Sequence, residues 1–270
     1  VGGLRYVNGF PGEAPVRPNL SIGDTLAAMN ATSGILLALL RVARRSSAVS
    51  ASSAADADAV TGQDVDVSIA ESVLGLLESC VPEYDRLGVV REPSGSTLTG
   101  IVPSGTFLCA DGMHAIIGAN GDSLFVRLME AMGREDLGRD RRFADNKGRV
   151  EHQALLDKAI SEWTRQRTMH EVQAACDAAA VPCGPIYSVR EIVEDDHFQA
   201  RGCFERVHTP DGRALKVPAI SPRLSATPGC TLRGGPKLGE HTTEVLLDLG
   251  ITESELGDLR AGGIIGQTPP

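Results

Sequence analysis

The sequence predicts an α/β protein that carries a smaller α+β unit in its second half. A stretch of small and apolar residues follows Gly23-Asp24 and runs at helical length to Arg45. A strand–turn–strand pattern occupies residues 106–117, with Asp111-Gly112 at the turn. Three capping-box signatures then predict helix starts in the later part of the chain: Thr168–Glu171, Ser188–Glu191 and Thr252–Glu255. Helices and hairpins therefore alternate along the chain.

Composition narrows the class of protein. A chain of 270 residues, 42% of them hydrophobic, can form one large domain or two modest ones. The net charge of −9 argues against a nucleic-acid partner. No continuous apolar run reaches the roughly 20 residues that cross a bilayer, so no membrane segment is predicted. The six cysteines form no C-x-x-C pair and have no histidine at ligand spacing, which predicts reduced thiols in an intracellular protein and no metal site.

Asp24 is the candidate for chemistry. It stands at the start of the apolar stretch, where its carboxylate is predicted to cap the helix and accept first-turn N–H groups. The helix dipole favours the ionised form at this end. Most aspartates in this position only cap a helix. A carboxylate that acts as a covalent nucleophile needs the same setting, however, because it must stay ionised and oriented.

The residues after this helix are predicted to continue the first domain. Apolar side chains lie almost all round the helix over Ile35–Leu40, which predicts full burial. Residues 46–60 are rich in Ser, Ala and Asp and are predicted to be a disordered surface insertion. The alternation over residues 63–68 predicts a strand, and a helix from Ile69 to about Arg86 follows, with Pro82 as its kink or stop.

A Gly-, Ser- and Pro-rich segment at 91–105 predicts a linker before the smaller unit. Asp122 is predicted to cap the helix that follows the hairpin. His241 and Glu240 are adjacent at a helix start, where charged residues are common, so no acid–base role is assigned to them. The remaining predicted elements are helices at 123–132, 151–163 and 168–180, a hairpin that turns at Asp211-Gly212, and a helix that ends at Leu249.

Several short motifs in the first third of the chain carry a resemblance to a known family. They are Pro15-Val16-Arg17-Pro18, Ser21-Ile22-Gly23-Asp24, Gly34-Ile35-Leu36, Gly62-Gln63 and Val65-Asp66-Val67-Ser68. Together they resemble the family III CoA-transferases, the formyl-CoA transferase-like or CaiB–BaiF-like enzymes. In that family the Asp of the Gly-Asp pair is the catalytic nucleophile. The resemblance therefore implies that role for Asp24.

The resemblance also implies the domain organisation. Family members are longer, so this chain would correspond to the C-terminal two-thirds of the fold and lack the N-terminal part. Residues 1–98 would be the remnant of the large α/β domain that carries the nucleophile helix, with the 46–60 insertion. Residues 99–190 would be the small α+β domain, and 191–270 a connector and C-terminal helices that return to the large domain. The family forms interlocked homodimers, which implies a homodimer.

The implied reaction moves coenzyme A from an acyl-CoA donor to a free carboxylic acid through anhydride and thioester intermediates on Asp24. Coenzyme A enters as a thioester substrate, so no permanently bound cofactor is expected. The segments 9–17 and 118–125 look most like enzymes that use short dicarboxylates, such as acetyl-CoA:oxalate and succinyl-CoA:glutarate CoA-transferases. A dicarboxylic acceptor is therefore expected, in an enzyme of the cytoplasm or mitochondrion.

The resemblance points to further substrate-binding residues. Gly23 precedes the nucleophile, and Gly100, Val102 and Pro103 stand where these enzymes carry a flexible loop over the active site. Such a loop would exclude water from a hydrolysable intermediate. The same composition fits a plain interdomain linker equally well.

Two other hypotheses stay open. In α-methylacyl-CoA racemases, which share the fold, the corresponding Asp acts as an acid/base in proton transfer beside the thioester. Alternatively, this chain alone is inactive, either as a truncated piece or as a structural partner. A large exposed apolar surface on the first helix and on residues 63–86 would favour that last hypothesis.

Overall fold

The structure, a computed structural model, describes residues 2–49 and 62–266 and divides the chain into two compact units. The first unit ends at Ile186, and the second begins at Tyr187. The first unit contains α1 Leu4–Val7, α2 Ile22–Val49, α3 Ile69–Leu74, α4 Cys80–Leu87, β1 Ser104–Leu108, β2 His114–Gly118, α5 Asp122–Ala131, α6 Glu135–Gly138, α7 Asn146–Glu151, α8 Gln153–Thr164, α9 Met169–Ala178 and β3 Cys183–Pro185. The second contains α10 Val189–Glu194, α11 Asp196–Ala200, β4 Phe204–His208, β5 Ala214–Pro218, α12 Thr242–Asp248 and α13 Glu253–Ala261.

Helix α2 confirms the predicted long helix but shifts both of its ends. It begins at Ile22, so Asp24 lies inside the first turn, and its prediction as the N-cap is wrong. Ser21 precedes the helix, and its carbonyl accepts the Thr25 N–H at 3.1 Å. The helix continues to Val49 because serine and alanine tolerate helical geometry. The rest of the predicted 46–60 insertion lies outside the described residues.

The predicted full burial of Ile35–Leu40 is wrong for this chain. Leu36 and Leu37 are 61% and 66% exposed, and Ile35, Leu39 and Leu40 are exposed as well. The apolar residues do surround the helix, but the described residues pack against only one side of it. α2 therefore presents an unpartnered apolar face.

Helix α2 also resembles a membrane span in length and composition. The part of α2 from Ile22 to Arg45, 24 residues long, is long and apolar enough to cross a membrane. No other helix among the described residues is. Polar residues interrupt the apolar run, which is why the sequence predicted no span. A single helix of this kind near the N-terminus is a weak indication. The absence of a membrane partner stays a prediction.

The segment between α2 and β1 differs from its prediction in two ways. Residues 62–68 are extended but form no strand, because no neighbouring strand pairs with them in the described part of the chain. The predicted helix from Ile69 to Arg86 is two helices, α3 and α4. The break falls at Gly75–Ser79 and not at Pro82. Pro82 lies in the first turn of α4, where its missing N–H costs no hydrogen bond.

The first unit contains a three-stranded antiparallel sheet in the order β1-β2-β3. The predicted hairpin is confirmed, with Leu108 opposite His114 across the Asp111-Gly112 turn. β3 was not predicted, because its three residues are too few to show a pattern. One face of the sheet packs on α5, α8 and α9. The core beneath it is built from buried apolar side chains that include Phe107, Ile117, Phe125, Leu128, Leu156, Ile160 and Val172.

Arg149 is a charged side chain fully buried in this unit. Its guanidinium donates to three backbone carbonyls: Nε to Val102 at 2.9 Å, Nη1 to Phe143 at 2.9 Å and Nη2 to Asn120 at 2.7 Å. Nη2 also donates to the Asp122 carboxylate at 2.7 Å. Buried charges persist only when paired and hydrogen-bonded. This guanidinium therefore links the segment before β1 to the loops that flank α5 and α7.

The same contact explains why Asp122 does not cap α5 as predicted. Gly121 is the N-cap, and Asp122 is the first residue of the helix. Its carboxylate turns to Arg149 instead of to the first-turn N–H groups.

The second unit confirms the predicted hairpin and helix starts. β4 and β5 pair around the Asp211-Gly212 turn, with Val207 opposite Leu215. The capping boxes at Ser188 and Thr252 both form, as does the one at Thr168 in the first unit. The division at 98/99 and 190/191 and the return of the last segment to the large domain stay predictions.

Replacing Arg149 by Met should lower the free energy of unfolding by about 3–5 kcal/mol, because three backbone carbonyls and one carboxylate lose their buried donor. Urea denaturation followed by circular dichroism measures this. Asp122→Asn is the control: its amide oxygen can still accept from Arg149, so it should cost clearly less. Equal stability of Arg149→Met and the wild type would contradict the anchoring role.

Candidate functional site

The position of Asp24 depends on two glycines of α2. A Cβ added at Gly23 would lie 3.0 Å from Ile69 Cγ2, and one at Gly34 would lie 2.7 Å from Val65 Cγ1. Both distances are at or below the shortest that real Cβ contacts allow. The absence of a side chain at these positions therefore lets α2 lie directly against the 65–73 segment. Asp24 directly follows the first of these contacts, so its backbone is fixed by packing.

The Asp24 carboxylate is exposed and, within the described residues, has no hydrogen-bond or ion-pair partner. It lies in the first turn of a 28-residue helix. The helix dipole stabilises a negative charge at this end. An ionised oxygen that makes no competing contact can act as a nucleophile.

The first turn of α2 also has free backbone N–H groups. The N–H groups of Ile22, Gly23 and Asp24 belong to the first turn, where no helical carbonyl is available to them. Gly23 has no side chain to shield its N–H. Such donors can stabilise an oxyanion that develops near the helix start.

The structure places the other predicted binding residues in one short loop of the first unit. Gly100 is exposed, with a φ of 79°, whereas Val102 and Pro103 are buried. Asn146 secures the loop: its Oδ1 accepts the Val102 N–H at 3.1 Å, and its Nδ2 donates to the Gly100 carbonyl at 2.8 Å. With Arg149 bound to the Val102 carbonyl, this loop has three fixed points. The arrangement fits an anchored connection better than a freely moving cover.

The structure shows no polar contact between this loop and Asp24 in the described part of the chain. Within the described residues, no hydrogen bond or ion pair connects Asp24 with residues 100–103. The substrate-binding roles of Gly23, Gly100, Val102 and Pro103 stay predictions.

The sequence analysis did not predict a charged cluster around Arg91. Arg91 Nη2 lies 2.6 Å from Glu83 Oε1 and 2.8 Å from the Ser79 hydroxyl, and Nη1 lies 3.2 Å from Glu78 Oε2. The hydrogen bonds from Ser79 and then from Arg91 hold the pKa of the Glu83 carboxyl below its usual value. The only sequence signal was the spacing of opposite charges. The cluster fixes the turn between α3 and α4 against residues 91–92.

A cavity of about 270 Å³ lies beside this cluster. It is lined by residues of α1, of the α3–α4 turn and of the 91–99 segment, among them Leu77, Arg91 and Leu98. Arg91 is already paired with two carboxylates, so the cavity offers an incoming anion little attraction. Asp24 does not line it.

The described residues contain no group of three His, Cys, Asp or Glu side chains that could hold a metal ion. His241 Nε2 lies 3.2 Å from Arg233 Nη1 and 3.8 Å from Glu240 Oε1, within the second unit. Those partners account for the His–Glu pair as a surface contact.

The sequence model of CoA-transferase family III matches residues 1–242 of this chain. The chain therefore belongs to CoA-transferase family III, and the resemblance drawn from its motifs is confirmed.

Named relatives support the same family. The succinyl-CoA–D-citramalate CoA-transferase of Chloroflexus aurantiacus is 42% identical over 266 residues, which are 98% of this chain and 63% of that protein. The alpha subunit of the succinyl-CoA–L-malate CoA-transferase of Chloroflexus aurantiacus is 35% identical, over 97% of this chain and 59% of its own length. The succinate–glutarate CoA-transferase of Agrobacterium fabrum is 28% identical, over 92% and 58%. The chain thus spans about three-fifths of the length of these relatives.

A solved structure confirms the α/β fold of this family. The CAIB/BAIF family protein from Brucella suis superposes with a TM-score of 0.70 at 26% identity, over 92% of this chain and 60% of that one. The Rv3272 protein of Mycobacterium tuberculosis has a TM-score of 0.72 at 18% identity, which supports the fold alone.

Replacing Gly34 by Ala should destabilise the protein by about 1–3 kcal/mol, because the new methyl group would overlap Val65. Gly257→Ala in α13 is the matched control. A Cβ there meets nothing within 4 Å, so the substitution should stabilise by about 0.5–1 kcal/mol. Calorimetric unfolding of the full chain gives both values. A stabilising Gly34→Ala would show that the close approach of α2 to residues 65–73 is not required.

Proposed function

We propose that this protein is a CoA-transferase that moves coenzyme A from an acyl-CoA donor to a free dicarboxylic acid, with Asp24 as the nucleophile. Membership of CoA-transferase family III supports the reaction class. The observation that carries the residue assignment is the exposed, unpartnered carboxylate of Asp24 in the first turn of α2, directly after Gly23. The acyl-CoA and the acid are substrates, and the proposal includes no resident cofactor.

The first half of the proposed reaction transfers coenzyme A to the enzyme. An Asp24 oxygen attacks the thioester carbonyl, the C–S bond breaks, and the CoA thiolate leaves a mixed anhydride. The thiolate then attacks the aspartyl carbonyl and releases the donor acid as its carboxylate. An aspartyl-CoA thioester remains on Asp24.

The second half reverses these steps with the acceptor. The acceptor carboxylate attacks the aspartyl carbonyl and displaces the CoA thiolate, which forms a new mixed anhydride. The thiolate attacks the acceptor's carbonyl carbon, and Asp24 returns as a free carboxylate. First-turn N–H groups of α2 are placed to stabilise the oxyanions. Every intermediate is hydrolysable, so water must be excluded throughout.

The names of the relatives support the proposed class of acyl-CoA donor and the proposed class of acceptor acid. The citramalate and malate transferases use succinyl-CoA, and they share 42% and 35% identity with this chain. The succinate–glutarate enzyme and the formyl-CoA:oxalate CoA-transferase of Afipia carboxidovorans share 28% and 27%. We therefore propose succinyl-CoA as donor and a short dicarboxylate as acceptor, with 2-hydroxy dicarboxylates ahead of oxalate and glutarate. These names favour the transferase over the racemase hypothesis.

The proposed transferase works as a homodimer inside the cell. The exposed apolar face of α2 supports a partner surface, because isolated folded chains rarely leave so many large aliphatic side chains in contact with water. The interlocked arrangement and the cytoplasmic or mitochondrial location are part of this proposal.

Exposed apolar residues on α2 and α4 support a second candidate function. Leu36 and Leu37 on α2, and Val81, Tyr84 and Leu87 on α4, are all exposed. This is the surface expected if the chain acts alone only as an inactive structural partner. Catalysis by the isolated chain separates the two candidates.

Incubation with succinyl-CoA in the presence of hydroxylamine should convert Asp24 to a hydroxamate, because hydroxylamine intercepts an activated aspartyl carbonyl. Intact-mass and peptide mass spectrometry measure the product. Asp24→Asn should give no product. Asp85→Asn, which changes an exposed aspartate of α4, should behave as the wild type.

The outcomes of this experiment assign the function. A hydroxamate that persists in Asp24→Asn would overturn the choice of nucleophile. If the wild-type chain forms none, the structural candidate replaces catalysis by this chain.

Light scattering after gel filtration should give a mass twice that of the 28.4 kDa chain, because association buries the α2 face. Leu36→Lys together with Leu40→Lys should shift the protein to the monomer. Lysine at Leu232, an exposed leucine of the second unit, is the control and should leave the mass unchanged. A wild-type monomer would contradict the dimer.

A further inference from the structure

A groove of about 630 Å³ is lined by none of the residues assigned to the transferase chemistry. Residues of β1 and β2 form part of its lining. Thr106 and Leu108 share the solvent face of the sheet with His114, because Leu108 lies opposite His114 in the hairpin register. Phe10, Ser161 and Arg165 also line the groove.

Two cationic or potentially cationic side chains in the groove lack partners. Arg165 is exposed, and among the described residues its guanidinium makes no hydrogen bond or ion pair. His114 is also exposed, and its ring has no partner within the same residues. A guanidinium without a carboxylate keeps all its N–H donors available for an anion.

The lining of the groove adds no negative charge near Arg165 and His114. None of the nine residues that line the groove is acidic, although the chain carries a net charge of −9. Glu162, the acidic residue next to Ser161, pairs with Lys158 at 3.8 Å. An isolated cationic patch on an acidic protein attracts small anions over its neighbouring surface.

Two hydrogen bonds to backbone carbonyls fix the end of α8, near Ser161 and Arg165. Thr164 Oγ1 donates to the Leu108 carbonyl at 2.9 Å and joins the end of α8 to β1. Ser161 and Arg165 are four residues apart, and the Arg165 N–H donates to the Ser161 carbonyl at 3.1 Å. Both therefore lie on the same side of the helix end. Two hydroxyls, Thr106 and Ser161, add neutral hydrogen-bond donors.

The remaining walls are apolar. Phe10 offers an aromatic ring that is 56% exposed, and its edge lies 3.1 Å from the Cβ position of Gly95. Leu108 and Ile186 are also exposed, and the Ile186 N–H is bound to the His114 carbonyl at 3.0 Å. A ligand that covers these side chains would remove apolar surface from water, which favours binding.

We infer that this groove binds a small organic anion, with a carboxylate or phosphate group on Arg165 and His114 and an apolar body against Phe10, Leu108 and Ile186. Arg165 binds both kinds of oxyanion with paired N–H donors. The inference does not depend on Asp24 or on transferase activity. It assigns this chain a second ligand site in the first unit.

Benzoate and phenyl phosphate test the site on the full chain, with neutral benzamide for comparison. Titration calorimetry should show that at least one anion binds and that benzamide does not. Arg165→Gln should weaken binding about tenfold, the usual loss for a charge-assisted hydrogen bond. Arg141→Gln is the matched control, because Arg141 is an exposed arginine of the same unit outside the groove, and it should bind as the wild type.

A second measurement locates the ligand. The bound anion should protect Arg165 from phenylglyoxal, read by peptide mass spectrometry, and leave Arg141 unprotected. Preference for benzoate would identify a carboxylate ligand, and preference for phenyl phosphate a phosphate ligand. Equal binding by Arg165→Gln and the wild type, equal binding of benzamide, or no binding of either anion would overturn the inference. Asp24→Asn should leave anion binding unchanged, so failure of one proposal leaves the other intact.

Discussion

The approach of α2 to the 65–73 segment is the constraint on which the candidate site depends. Only glycine at positions 23 and 34 permits it, since a methyl group at either would meet Ile69 or Val65 at 2.7–3.0 Å. Packing of this kind is decided by short-range repulsion, which rises steeply within a few tenths of an ångström. It fixes the backbone at Asp24, while the described residues make no hydrogen bond to the carboxylate. The proposed nucleophile can therefore be both fixed in position and free to react.

A different kind of constraint organises the sheet-containing part of the first unit. There a single guanidinium, that of Arg149, replaces solvent for three carbonyls. Low local dielectric strengthens each of these bonds and makes the loss of any one costly. Steric fit at α2 and buried electrostatics around Arg149 thus hold neighbouring stretches of one chain by unrelated means.

The features that the sequence predicted correctly had local causes, although the local predictions of Asp24 and Asp122 as N-caps were wrong. The hairpin at Asp111-Gly112 and the capping boxes at Thr168, Ser188 and Thr252 involve residues within a few positions of each other, and all of them form. The burial of Ile35–Leu40 and a strand at 63–68 were wrong, because both depend on which neighbour covers them. Hydrophobic periodicity indicates which face of an element favours contact with a neighbour. It does not indicate whether a neighbour is present.

The residues of the candidate site also differ in whether the sequence could predict them. Asp24 could be singled out because it lies in a short motif that resembles the family, and residues 1–242 match the family model. Arg149 could not be found, because its partners lie 6 to 47 positions away in sequence. The groove at Arg165 could not be predicted either, since it joins Phe10, near the start of the chain, to residues of β1, β2 and the end of α8. Polar contacts between residues that are distant in sequence produce no periodic pattern in that sequence.

The one-sided packing of α2 has a consequence for local stability. The core beneath the three-stranded sheet surrounds its side chains completely, whereas α2 is supported along only part of its surface. Free energies of local opening follow such differences in packing, and the best-packed elements open last. The proposed nucleophile, Asp24, therefore belongs to an element that unfolds more readily than the sheet core. Any surface that covers α2 would raise the barrier to that opening and hold the start of the helix more firmly in the fold.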